Sequence, residues 1–189
     1  MRKMARAAVG IVLLVAGCGG SGEPRAVGEA PTSSTASPAV ATSTTVERAE
    51  LERAVLDAYL ASWAAWDAAT NPPDPDFPAL AETNTGPALQ AAVDQITAWK
   101  ASGRAAYDPP NTISEHRAEV VRVGDREATV RDCSIDDGLV VIAATGEVVN
   151  DQVETALFEA SMVIEDERWK VQSLKVLETW EGVAGCANE

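Results

Sequence analysis

The sequence predicts an α+β domain in which three N-terminal helices pack on a curved antiparallel sheet. Three observations lead there. From Leu51 to Trp66 the apolar residues recur every three or four positions. Beyond about residue 113 the period falls to two. The alternating runs are joined by short polar turns at Gly124-Asp125 and Glu165-Asp166-Glu167, which suit hairpins and leave no room for crossover helices. Helices grouped ahead of strands indicate a helical layer on an antiparallel sheet.

In chain order, residues 1–17 come first. Met1 to Arg6 carries three positive charges and no acid, and Ala7 to Ala16 is an apolar run broken only by Gly10. That is the layout of a secretory signal, with an apolar core well short of the ~20 residues that span a bilayer. Val15-Ala16-Gly17-Cys18 resembles a bacterial lipobox. The resemblance implies cleavage before Cys18 and diacylglyceryl and acyl chains on Cys18, hence attachment to the membrane on the extracytoplasmic side. Each buried methylene is worth about 0.8 kcal/mol, so two or three chains anchor durably. An ordinary cleaved signal with an incidental cysteine is the alternative. Gly17-Cys18-Gly19-Gly20-Ser21-Gly22 has the spacing of a dinucleotide fingerprint, but it follows a signal core and opens no helix, so it is set aside.

Residues 18–46 read as a lipidated cysteine and tether. Thr32 to Thr45 holds nine Ser or Thr among fourteen residues, a composition with no face to bury. As a flexible coil it places the domain ~30 Å from the membrane, and it suits O-glycan attachment. The domain itself is assigned to residues 47–189, about 140 residues and enough for one core.

Helix one is expected to open at Thr44, with Glu47 completing a capping box. Leu51, Val55, Ala58, Tyr59, Ser62, Trp63 and Trp66 form its stripe, and Asn71-Pro72-Pro73 ends it. Asp76 to Leu80 reads as a short second helix capped by Asp76. A third runs from Pro87 to about Ser102, with Leu89, Val93, Ile96 and Trp99 or Lys100 on one face and Gly103 at its end. Five strands follow: Ser114–Val123, Arg126–Ile135, Leu139–Ile142, Val153–Ile164 and Arg168–Leu177. In the last, Trp169 and Val171 are assigned to one face, Leu174 and Val176 to the other.

The formal charge of −14 drops to −17 once the three bases of the signal are removed. Such a chain repels phosphate backbones, so nucleic acid is excluded as a partner. With Cys18 lipidated, Cys133 and Cys186 form an even pair, which in an oxidising compartment predicts a disulfide; two buried free thiols are the alternative.

A long N-terminal helix carrying Tyr59 and ending near Trp66-Asp67, shorter helices, then a long antiparallel meander containing Ala128-Thr129-Val130-Arg131-Asp132-Cys133 resembles the nuclear transport factor 2-like superfamily, which includes SnoaL-like cyclases and ketosteroid isomerases. The resemblance covers roughly residues 47–180 and rests on element order. It implies a cone-shaped fold, a pocket between helix one and the concave face of the sheet, and often a homodimer through the back of the sheet. Enzymes of the superfamily set a carboxylate base against a tyrosine-containing oxyanion hole.

Candidate pocket-lining residues are therefore Tyr59, Trp63, Trp66, Trp99, Asp132 and Glu159. Each has a plainer role: Tyr59 as a core residue with a satisfied hydroxyl, Asp132 and Glu159 as strand carboxylates pointing to solvent, and the tryptophans as core filling in a chain with two Phe. His116, the only histidine, reads as a surface residue between Glu115 and Arg117. One His and two bridged Cys are too few ligands for a transition metal. Asp132 to Gly138 has acids at calcium-loop spacing but lacks the glycine and the final glutamate, so no metal or cofactor is called for. No catalytic motif is present. The sequence reading is a non-enzymatic envelope lipoprotein that docks a protein partner or holds a small apolar ligand; the alternative is an isomerase or cyclase with Asp132 or Glu159 as base.

Overall fold

The structure is a computed structural model that describes residues 39–186, with side chains from Thr45 onward. The signal segment, Cys18 and most of the tether lie outside the described residues.

Helix α1 spans Ala39–Thr70. It starts earlier than expected, so the last residues assigned to the tether are its first turns, and Thr44 sits inside the helix instead of capping it. Once the stripe beyond Leu51 is docked, extending the helix backward through Ala, Val, Ser and Thr costs only modest propensity. The stripe buries Val55, Tyr59, Ser62, Ala65 and Ala69, spaced by four, three, three and four. Pro72 and Pro73 stop the ladder, and the Asp74 N–H donates to the Ala69 carbonyl (2.8 Å).

Helix α2 spans Pro78–Thr83 and helix α3 spans Gly86–Ala101. The cap of α2 is Phe77, not Asp76, and makes no side-chain cap bond. Phe77 packs on the cluster of Ala65, Ala69, Leu80 and Ile96, so apolar burial takes the place of a polar cap. Between α2 and α3 the Thr85 N–H donates to the Val171 carbonyl (2.9 Å), which fastens the joint to the sheet.

Among the described residues seven strands follow: β1 Arg104–Tyr107, β2 Glu115–Val123, β3 Glu127–Asp136, β4 Leu139–Ile142, β5 Val148–Asn150, β6 Glu154–Glu165 and β7 Arg168–Glu181. They make two antiparallel sheets, β2-β3-β6-β7 and β1-β4-β5. Five strands in one sheet were expected; β1 and β5 were missed. Arg-Ala-Ala-Tyr buries a single alanine well, and Val-Val-Asn buries nothing, so neither shows a period. Both expected hairpins are present. The Gly124 N–H donates to the Glu127 carbonyl (2.8 Å), and Asp166 (φ 51°) and Glu167 (φ 62°) both take the left-handed backbone of a primed turn.

In the larger sheet Ala128, Val130, Asp132 and Ser134 stand opposite Met162, Ala160, Phe158 and Ala156 on the face toward α1. Bulges in the β6–β7 pairing put Leu174 opposite Ala160 and Val176 opposite Phe158. Leu174 and Val176 therefore share the α1 face with Val171, correcting the expected split, because each bulge reverses the alternation. The main core is Val55 and Tyr59 from α1 against Ala128, Val130, Ala160, Met162 and Val171.

Cys133 and Cys186 form a disulfide on the opposite face, Cα atoms 6.2 Å apart. The segment after β7 folds back over that face: the Thr155 hydroxyl donates to the Gly182 carbonyl (2.6 Å). Gly185 comes so close that a Cβ there would lie 2.5 Å from the Trp180 ring and 2.6 Å from the Thr155 methyl. No helix among the described residues is long and apolar enough to cross a membrane.

Candidate functional site

Helical spacing brings Tyr59, Trp63, Trp66 and Asp67 down one side of α1. Tyr59, Trp63 and Trp66, with Leu80, Ala88 and Leu174, line a cavity of about 300 Å³ between the three helices and β7. Its wall is mostly apolar, as a small-molecule pocket requires.

Behind Tyr59 lies a chain of polar groups. The Tyr59 hydroxyl donates to Asp132 Oδ2 (2.9 Å), and His116 Nδ1 lies 2.6 Å from the same oxygen. A carboxylate only accepts, so Nδ1 carries the proton and the other ring nitrogen is left unengaged by Asp132. Burial, and then the Asp132 charge, push the Tyr59 phenol well above its ordinary value, so it stays a donor. Asp132 is fully buried and its Oδ1 has no hydrogen-bond partner. Trp63 stacks beside this chain, 4.9 Å from the His116 ring and 5.3 Å from Phe158.

His116 and Phe158 belong to the wall of a second cavity of about 260 Å³, which Trp63 and Trp66 also line. Its polar groups include Asp67, Asp108, Asp136 and Glu154. Those four acids, with Trp66, Trp99 and Tyr107, also line an adjoining hollow of about 500 Å³. Trp66 and Trp99 meet with ring centroids 5.7 Å apart. The Asp67 side chain keeps contact with solvent. Even so, loss of water around its carboxyl, then repulsion from Asp108, push it up to about 6, against an opposing effect of His116 that outweighs the weaker repulsion from Asp136. Asp108 is raised for the same reasons, by desolvation and then by Asp136 and Asp137.

Asp137 behaves differently. Desolvation opposes its charge, but the Thr112 and Ser114 hydroxyls and the Ile113 and Ser114 N–H groups donate to it and hold the carboxyl below the usual range. Its acceptor capacity is spent on the loop before β2. Among the described residues no group of three or more His, Cys, Asp or Glu is placed to hold a metal.

The structure thus joins Tyr59, Trp63, Trp66 and Asp132 and separates Trp99 and Glu159. Trp99 stands on the acidic side of Trp66 and does not line the apolar cavity. Glu159 sits opposite Arg131 on the far face, with 3.8 Å between their charged atoms, and lines neither cavity. Asp132 points inward, not to solvent, and His116 is a wall residue bound to it, not a surface histidine. The sequence carried no signal for that pair: the turn-side register, Val123 opposite Ala128, continued without a break would put residues 116 and 132 on opposite faces, and the bulge between Val120 and Arg122 brings them to one face. Asp67 and Asp108 had none either, since loops bring them together.

No protein-family model matches the chain. No curated protein matches it significantly in sequence. Its fold is similar to the crystal structure of the intermembrane space region of the chloroplast protein ARC6, with a TM-score of 0.50 and 15% identity over 67% of this chain and 95% of that chain. At that identity the likeness concerns the fold alone.

Proposed function

We propose that this protein is an exported, lipid-anchored envelope protein whose cone-shaped, nuclear transport factor 2-like domain binds a small, largely apolar molecule between α1, α3 and β7. The observation that carries the reading is the apolar cavity of about 300 Å³ walled by Tyr59, Trp63, Trp66 and Leu174. The basic, apolar and Cys18-terminated leader supports the anchoring.

Native mass spectrometry of the protein released from its own membranes tests this. The expected result is a reproducible small molecule that is retained by the native chain and lost from Trp63→Ala. A chain that carries nothing from its membranes and binds no apolar probe removes the reading. The intact mass also checks the anchor: diacyl and acyl mass on the native chain, none on Cys18→Ser.

The Asp132–His116 pair favours a second reading, an isomerase-type enzyme in which His116, not Asp132 or Glu159, faces the reacting molecule. Turnover lost in His116→Gln with ligand binding intact would favour it over simple carriage.

A further inference from the structure

The large sheet has two outer strands, β2 and β7, and they are finished differently. β2 is blunted: it carries exposed charges at Glu115, Arg117, Glu119 and Arg122, and a bulge interrupts its pairing. β7 is covered only at its start, where the Thr85 N–H donates to the Val171 carbonyl and Gly86 lies beside Gln172. From Leu174 to Thr179 every residue is exposed, among them Leu174 (38%), Val176 (57%) and Leu177 (46%). Among the described residues this stretch pairs with β6 alone, so its other row of N–H and C=O groups meets no strand. An open apolar edge of that kind is a template for a further strand.

The charges on the edge say which strand fits. Lys175 and Glu178 are three residues apart, a spacing that puts side chains on opposite faces of a regular strand. The bulge between Val176 and Glu178 cancels that. Lys175 pairs with Glu159 and Glu178 with Leu157, two residues of one parity on β6, so both charges lie on the face that carries the disulfide. Neither has an ion-pair partner among the described residues. A two-fold axis perpendicular to a sheet keeps each residue on its own face. Placed between Val176 and Leu177, such an axis sets Lys175 opposite Glu178 of a second copy, twice over. On the inner face it sets Leu174 opposite Thr179, with Val176 and Leu177 of both copies at the centre.

We propose that the free edge of β7 pairs antiparallel with the same edge of a second copy of this chain, joining two four-stranded sheets into one. Main-chain bonds supply the affinity, and the two charge pairs fix the register and the choice of partner. This dimer differs from the one through the back of the sheet that the superfamily resemblance implies, and it stands apart from the small-molecule reading.

Oxidative cross-linking in cells that produce the full chain tests it, whether or not the chain is anchored. One chain carries Lys175→Cys, and a co-produced, differently tagged chain carries Glu178→Cys. Opposed residues of paired strands have Cβ atoms ~5 Å apart, within disulfide reach, whereas two copies of position 175 lie about 8 Å or more apart. The expected result is a mixed dimer at least about fivefold stronger than the product of either chain alone. Equal cross-linking of each chain with itself overturns the proposal. Bridging between Glu159→Cys chains without the mixed dimer puts the contact on the back of the sheet and overturns it too. So does a bridge from Lys175→Cys to a chain of another mass, or no cross-link at all. Sedimentation of the full chain gives a second readout at exposed positions. Glu178→Lys sets like charges opposite each other twice and is expected to weaken the dimer at least about tenfold, and Lys175→Glu/Glu178→Lys to restore it to within about threefold. A native chain that stays monomeric, or a Glu178→Lys dimer as tight as the native one, overturns the proposal.

Discussion

Asp132 is the residue on which the inner face of the sheet depends. It accepts from Tyr59 and lies against His116, so Asp132→Ala strips a buried hydroxyl and a half-buried imidazole of their partner at once. The expected loss is about 3 kcal/mol, read as a lower urea midpoint with unchanged slope. Tyr59→Phe removes one donor and is expected to cost about 1 kcal/mol in the same assay. Asp67 acts in the opposite sense. Its folded carboxyl is raised to about 6, so between the unfolded value near 4 and that point the native state binds the extra proton. Stability therefore falls as pH rises through this window and is lowest above it. Asp67→Asn is expected to raise stability by about 1 kcal/mol near pH 8, a figure kept small because the side chain is open to water, and to change little near pH 4. The groups facing Asp67 are Asp108, His116 and Asp136, with Glu115 and Glu154 in the same wall. Melting curves at the two pH values check the sign.

At the scale of elements, the strands with a strict period were legible and those without one were not. β3 alternates from Ala128 to Ser134 and was placed to within a residue or so, whereas β1 and β5 offer one buried alanine and none. The expected faces of β7 failed at Leu174 and Val176 because bulges opposite Phe158 and Met162 reverse its parity, and a bulge leaves no trace in a single sequence. The site divides the same way. Tyr59, Trp63 and Trp66 share a helical stripe and could be read together; Asp108, reaching the site from the loop after β1, could not. The segment after β7 is held by the disulfide and by close packing. Reducing the Cys133–Cys186 bond, which spans 53 residues, is expected to cost about 4 kcal/mol on the chain-entropy account, seen as a lower melting temperature with reductant. Gly185→Ala is expected to cost about 1–3 kcal/mol with the disulfide intact, because the new methyl meets Trp180 and Thr155.

In the described domain as a whole, two sheets share one set of helices. α1 and α3 each touch β1 of the small sheet as well as β7 of the large one. The sheets are therefore expected to melt together, with fluorescence from the tryptophans and far-ultraviolet dichroism reporting one midpoint. Two separated midpoints would show that the small sheet is an independent unit. The sequence indicated the order of layers because helix and strand periods are local, but not the second sheet, whose strands are joined by pairings distant along the chain.

The disulfide also sets a timetable. Cys133 leaves the ribosome 53 residues before its partner, and β6, β7 and the returning segment must all follow before the second thiol exists to be oxidised. Throughout that interval the hairpins have only hydrogen bonds and apolar contacts to hold their register. The covalent link then acts as a late lock on a sheet already assembled, and an oxidant that arrives early finds a lone thiol on β3 exposed to wrong partners.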